Sequence, residues 1–245
     1  MRVFLIFVHV VWMLDSAIGQ SSINNQIIQN TFQEFSAASG NKTYTGAGVP
    51  VFNHLEDTHG TRYLFDKWVH GTILNANGEL IANDSFFLNY DKISESLFLT
   101  IDKQTIVEIA KKEVRAFTLK YGDQEYKFER VYLIDNKNLF QVLIRDSIGF
   151  SLYKLYHTKF RKADYTNDGI HESGHNYNEF VDQPDYFVLY PDREVVHIDV
   201  LTRKAIGKAF NLNVIHDKVV SYLSQHEKDP EDEQLLRNLV LYLNQ

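Results

Sequence analysis

Residues 114–131 read VRAFTLKYGDQEYKFERV, and whether they form helix or strand decides the fold. In the second half, Tyr126 and Phe128, with Arg130 as a further candidate, alternate with Glu125, Lys127 and Glu129. A period of two sends successive side chains to opposite faces of a sheet, which marks a half-buried strand. Gly122-Asp123 separates this run from VRAFTLKY, so the stretch predicts two strands joined by a turn.

The same punctuation continues on both sides. From Tyr63, TRYLFDKWVHGTILN leads into a hairpin signal at Asn77-Gly78. ELIANDSFFLNYD, SLFLTID and TIVEIA follow, with turn candidates at Asn83-Asp84 and Asp102-Lys103. Downstream come NLFQVLIRD, FSLYKLYHTKF and DYFVLYPDREVVHIDV, the last turning at Pro191-Asp192. Turn signals at intervals of roughly 8–12 residues, without helices between, favour an antiparallel sheet or barrel over βαβ units.

After residue 200 the period becomes helical. Ile215, Val219, Tyr222 and Leu223 share one face, as do Leu235, Leu236, Leu239, Val240 and Leu243. TRKAIGKAF at 202–210 predicts a shorter helix before them. Asp229-Pro230-Glu231-Asp232 predicts a helix start, with Asp229 as N-cap and proline at the first helical position. The fold class is α+β: a strand-rich antiparallel sheet or barrel-like body over residues 61–200, then a C-terminal amphipathic helical pair over 201–245 that packs on it.

The first residues, MRVFLIFVHVVWMLDSAIGQ, have the layout of a secretory signal peptide. Arg2 is the positive n-region, Val3 to Leu14 is apolar but for His9, and Ala17 and Gly19 suit cleavage after residue 19. The apolar run of about 12 residues is short of the roughly 20 that a bilayer crossing needs. Residues 20–60 read as a polar linker or arm, with Ile28, Phe32 and Phe35 at helical spacing inside it.

Net charge is −7, and the longest basic cluster is the mixed KFRK at 159–162. A nucleic-acid binder needs a basic footprint to replace phosphate counterions, so nucleic acid is not an expected partner; anionic membrane surfaces fall on the same ground. No cysteine is present, which excludes disulfides, thiolate metal sites and thiol catalysis.

From Tyr63 to Asn244 the pattern resembles a family of exported proteins common in Bacteroidota. The shared features are a Trp-x-x-Gly strand (Trp68, Gly71), an Asn-Tyr-Asp turn (Asn89, Tyr90, Asp91) and a Ser-Leu-Tyr-Lys strand (Ser151 to Lys154). The resemblance implies export and the fold class. No activity is assigned to the family, so it implies no catalytic residues and no cofactor.

One motif points to chemistry. His171 to His175 spell HESGH, a His-Glu-x-x-His pattern. On a helix, residues four apart share a face, so both imidazoles reach one zinc ion while the glutamate activates its water. A zinc-dependent hydrolase would use His171 and His175 as ligands and Glu172 as base. The surrounding YTNDGIHESGHNYNEF favours a strand-to-strand loop instead. Gly169, Gly174, Asn167, Asp168, Ser173, Asn176 and Asn178 suit turns and caps over helix interiors. A metzincin-like extension needs glycine at 178 and histidine at 181, where the chain has Asn178 and Val181. Glu194, as a third ligand, falls in the expected last hairpin. Asp164, Asp168, Asp182 and Asp185 match no calcium loop and read as loop solvation.

No Gly-x-Ser-x-Gly elbow, phosphate loop or dinucleotide fingerprint occurs. The leading expectation is therefore a non-enzymatic exported module that binds or scaffolds an envelope or extracellular protein or glycan, without a cofactor. The alternatives are the zinc-dependent hydrolase and a carbohydrate-binding surface built from the abundant Phe and Tyr residues.

Overall fold

The computed structural model describes residues 28–31, 33–37, 46–49, 58–169, 171–210 and 214–245; the expected signal peptide, residues 1–19, lies outside them. Helix α1 comprises residues 28–31 and 33–37. The strands follow as β1 (Gly46–Val49), β2 (Thr58–His59), β3 (His70–Asn75), β4 (Leu80–Ile81), β5 (Phe87–Asp91), β6 (Ser96–Thr100), β7 (Ile106–Ile109), β8 (Val114–Tyr121) and β9 (Gln124–Glu129). Then come β10 (Phe140–Ile144), β11 (Ser151–Leu155), β12 (Thr158–Arg161), β13 (Thr166–Asn167), β14 (Glu172–Ser173), β15 (Asn178–Asp182), β16 (Asp185–Leu189) and β17 (Val195–Ile198). Helices α2 (Arg203–Ala209), α3 (His216–Gln225) and α4 (Glu233–Leu243) end the chain. The molecule is α+β, as the sequence pattern predicts.

The 114–131 stretch is the expected hairpin. β8 and β9 pair antiparallel, with Tyr121 opposite Gln124 and Gly122 turning the chain at φ 61°. They lie inside an eight-stranded antiparallel sheet in the order β17-β16-β11-β10-β9-β8-β3-β4. One row of side chains crosses it on a single face: Ile73, Phe117, Phe128, Gln141, Lys154, Tyr186 and Ile198 are successive cross-strand neighbours. The apolar ends of that row are covered by two different layers. A second sheet, β1-β7-β6-β5, packs over the β3-β8-β9 end, where Tyr90, Leu97 and Leu99 meet Phe117 and Phe128. Helices α2, α3 and α4 pack over the β16-β17 end. Gln141 and Lys154 mark the join between them. Gln141 accepts from the Tyr156 hydroxyl at 2.7 Å, and Lys154 reaches Glu233 of α4 at 2.8 Å.

Glycine at position 71 has a packing cause. A Cβ there would drive into the Thr118 carbonyl oxygen of β8. The glycine of the Trp-x-x-Gly feature thus sits where β8 leaves no room for a side chain.

Strands β5 and β6 do not alternate, because both of their faces are covered; nine of the ten residues are buried. The Asn-Tyr-Asp segment, expected at a turn, belongs to β5. Asn89 donates to the Phe65 and Lys67 carbonyls, and its Oδ1 accepts the Phe65 amide. Asp91 accepts from Arg62 at 2.9 Å and caps the real turn through the amide of Ile93. Buried polar groups need such partners. The side chains that suggested a turn are those that satisfy the backbone around a covered strand.

Within the stretch expected as a linker or arm, α1 docks through Phe35, which is 2% exposed and packs against Phe86 at 5.9 Å. β1 pairs antiparallel with β7 at the edge of the second sheet. In α4, Leu235, Leu236, Leu239 and Val240 are buried, each contributing about 1.5–3 kcal/mol relative to exposure. This helix starts later than expected: its N-cap is Asp232, whose side chain accepts the Leu235 amide, rather than Asp229. Arg203 explains the shift. Its guanidinium binds the carbonyls of His226 and Asp229 and the Glu231 carboxylate, holding 226–231 as a loop.

Candidate functional site

Two strands leave the main sheet together. β11 ends at Leu155 and β16 begins at Asp185; beyond them the chain bends at Tyr156-His157 and Gln183-Pro184 and continues as β12 and β15. The bend is closed by the Gln183 amide, which donates to the His157 carbonyl at 2.7 Å. β12 and β15 pair from Thr158 opposite Asp182 to Arg161 opposite Glu179. β2 joins β15 in parallel, as a strand supplied from far upstream. Farther out, β13 and β14 form a small hairpin. This ribbon is the most exposed part of the described chain: every described residue from Lys159 to Asn176 is exposed.

HESGH lies on the ribbon, in and beside β14. It is not helical. Gly169 and Gly174 both take positive φ, 85° and 81°, on either side of the strand. A Cβ at Gly174 would strike the Asp164 carbonyl, and the Asp164 and Tyr165 amides both donate to the His175 carbonyl at 3.0 Å. The common helix face that a His-Glu-x-x-His zinc site uses is therefore absent, and the two imidazoles have different neighbours. His171 faces Asp168 at 3.9 Å, whereas His175 rests on the Tyr177 ring at 5.1 Å. Glu172 accepts from Asn167. Glu194 lies in the β16–β17 turn, as expected. Among the described residues, no three His, Asp or Glu side chains are grouped as metal ligands.

The ribbon carries aromatic and basic side chains on both faces. On one face the Tyr177 ring stacks on His59 at 3.9 Å and meets the tilted ring of His175 at 5.1 Å. On the other, Phe160 and Phe180 are cross-strand partners with centroids 5.0 Å apart, and Phe160 stays 37% exposed. Tyr165 is exposed near the tip. Lys159 and Arg161 lie on β12 and Lys162 follows it; β12 is the outer strand, with no pairing partner on its far side among the described residues. An unpaired edge offers backbone donors and acceptors to an added strand.

At the root, charged groups tie the ribbon to the body. Lys92, buried in the β5–β6 turn, meets both oxygens of Asp182 at 2.8 and 2.7 Å, and Thr158 donates to the same carboxylate. His157 lies between two carboxylates: Nδ1 is 2.5 Å from Glu95 and Nε2 is 3.0 Å from Asp185. The other Asp185 oxygen meets His197 Nε2 at 2.8 Å, and Lys111 approaches Glu95 at 3.6 Å. Beneath this cluster, burial pushes the Tyr156 hydroxyl up from its ordinary range.

No family model, curated protein or solved structure matches the chain. The site must be read from its own geometry.

Sequence reasoning placed HESGH in a strand-to-strand loop but did not find the root cluster. Asp182 and Asp185, expected to solvate a loop, instead hold ion pairs, and Asp164 and Asp168 accept the amides of His175 and His171. The usable signal was local: a histidine and a threonine directly after an apolar strand, facing an Asp-x-x-Asp break between two others. Glu95 and His197 had none, because only the folded topology brings them to His157.

Proposed function

We propose that the protein is an exported, non-enzymatic binding module that engages an envelope or extracellular protein through the 158–182 ribbon. The observation that carries this reading is the exposed edge of β12, flanked by Lys159, Phe160, Arg161 and Lys162 in a chain of net charge −7. Strand addition there would supply backbone hydrogen bonds. The three cations would favour a partner segment rich in acidic side chains, and Phe160 would select an apolar one. The layout of residues 1–19 and the resemblance to exported Bacteroidota proteins support the same assignment of place.

Glycan binding has less support. Platforms for sugars keep rings free, whereas Phe160 and Phe180 face each other and Tyr177 is covered by two imidazoles.

A photo-crosslinking residue at Phe160, with a second at Asp217 on α3 as control, tests the proposal on the surface of cells that make the protein. A discrete protein adduct from position 160, lost when Lys159, Arg161 and Lys162 are exchanged for glutamate, is expected. Adducts unaffected by that exchange would overturn it. So would a hydrolytic activity abolished by one side-chain change. Binding confined to a glycan array would transfer the site to carbohydrate.

A further inference from the structure

We infer that His157 is a proton-controlled latch that holds the ribbon against the body. The inference concerns how the ribbon is held and does not depend on what the ribbon binds.

His157 occupies the bend where β11 becomes β12, so its ring stands at the ribbon's hinge. Both ring nitrogens lie against carboxylates, Glu95 from the β5–β6 turn and Asp185 from the start of β16. A neutral imidazole has one N–H and one bare nitrogen. Whichever nitrogen carries the single proton, the other faces a carboxylate oxygen at 3.0 Å or less, a repulsive contact. Only the imidazolium presents N–H to both. The doubly bridged arrangement therefore belongs to the protonated ring. Loss of one proton removes an attraction on one side and leaves a repulsion there.

The surroundings make this proton decisive for the root. Glu95 from the β5–β6 turn and Asp185 from the β15–β16 bend meet the ring directly. One contact farther out, Lys111 from the turn before β8 reaches Glu95, His197 of β17 reaches Asp185, and Lys92 of the β5–β6 turn pairs with Asp182. Lys111 stands nearer to neutralising Glu95 than Asp185, and Lys92 is committed to Asp182. When His157 is neutral, Asp185 keeps only His197 among these groups. His197 is itself half-exposed and can follow that carboxylate outward while stacked on Phe187 at 4.9 Å. The Lys92–Asp182 pair and the pairing of β2 with β15 remain. The ribbon thus stays attached there and loosens on the Asp185 side.

Amide hydrogen exchange of the full chain tests the latch, with rates corrected for the intrinsic pH dependence of exchange. Protection of the β12–β15 ladder and of the Gln183 amide is compared between about pH 5 and about pH 8, with β8–β9 as internal reference. Protection at the root is expected to fall about fivefold relative to the reference, the effect of one partly exposed ion pair. His157→Gln should give low protection at both pH values. His157→Lys, which keeps a cation at the bend, should flatten the dependence as well, with the higher protection retained. His197→Gln should leave the dependence in place. A wild-type root with equal protection at both pH values would overturn the latch. So would a pH dependence that survives His157→Gln or disappears in His197→Gln.

Discussion

The side-chain amide of Asn244 closes two hydrogen bonds on the backbone of Phe150: its Oδ1 accepts the Phe150 N–H at 2.7 Å and its Nδ2 donates to the Phe150 carbonyl at 2.9 Å. An asparagine thereby pairs with the entrance of β11 as a neighbouring strand would. Gly149 is required beside it, since a Cβ there would collide with the amide oxygen. The contact fastens the end of α4 to the sheet it covers. Asn244→Ala should cost about 1–3 kcal/mol, the sum of two intramolecular hydrogen bonds. Removal of Gln245 alone, whose side chain is exposed, should cost nothing measurable. Urea denaturation of the three proteins decides between these outcomes.

Asp91 is fully buried, and Arg62 covers it at 2.9 and 2.5 Å. The Ile93 amide and the Ser94 hydroxyl bind the same carboxylate at the start of the turn. Arg62→Ala leaves that charge inside without its cation and should destabilise by about 3–5 kcal/mol. Adding Asp91→Asn should recover part of the loss, because the uncompensated charge is gone. A double mutant no more stable than Arg62→Ala would show that packing by the arginine stem, rather than charge, is what matters.

These two contacts also show which parts of the fold could be read from the chain. β8 and β9 were plain in the sequence because one face is wet, so Tyr126 and Phe128 alternate with Glu125 and Lys127. β5 and β6 carry no alternation, since the second sheet is covered on both faces. Their Asn89, Asp91, Ser96 and Thr100 look like turn residues although all four are buried. The C-terminal helical period was clear from the leucines of α4. Its starting point was not, because Arg203 of α2, distant in sequence, captures the His226 and Asp229 carbonyls. HESGH could be judged from the glycines at 169 and 174, which act locally. The Glu95–His157–Asp185–His197 cluster could not, because its members meet only through strand order.

The Tyr90 hydroxyl is buried and finds no hydrogen-bond partner among the described residues, while its ring stacks on Phe128 at 4.9 Å. Burial holds its proton far more tightly than usual. Tyr90→Phe keeps the stacking and removes the unsatisfied oxygen, so it should be neutral or stabilising by up to about 1 kcal/mol. Tyr156→Phe is the contrasting case. It deprives Gln141 of its partner at the join of the two layers and should cost about 1–3 kcal/mol. Thermal melts should show no loss for Tyr90→Phe and a lowered midpoint for Tyr156→Phe. Equal destabilisation would mean that the Tyr90 hydroxyl is satisfied.

Burial pushes the Tyr190 hydroxyl up to about 12, helped by Glu194 and Asp192, and the group donates to the Ala209 carbonyl of α2. A phenol whose folded value lies above its unfolded one binds its proton more tightly in the native state. Its contribution is whole below about pH 10, the unfolded value, and is lost as pH rises through about 12. Tyr186 is shifted in the same direction, by burial first and Glu233 second. Stability should therefore fall between about pH 10 and 12, with α2 among the first elements to loosen. Tyr190→Phe should be less stable at neutral pH, having lost one hydrogen bond, yet show a shallower alkaline slope. Denaturation midpoints across that range would test the sign, and an unchanged slope would remove Tyr190 from the account.

The HESGH histidines lie on an exposed hairpin with separate neighbours, Asp168 for His171 and Tyr177 for His175. Tight zinc binding needs three or four ligands converging on one point, with second-shell groups orienting each imidazole. Here Gly174 bends the strand between the rings, and the Asp164 carbonyl already fills the space a side chain would take. Zinc content of the purified protein, compared with a His171→Ala/His175→Ala double mutant, is expected to be far below one per molecule in both. The melting temperatures of the two should agree within about 2 °C, since exposed positions away from caps and ion-pair networks contribute little. His175→Ala by itself removes one of the two rings against Tyr177 and would account for any small difference. Near-stoichiometric zinc that disappears in the double mutant would require the hairpin to refold around the metal, and would return Glu172 to consideration as a general base.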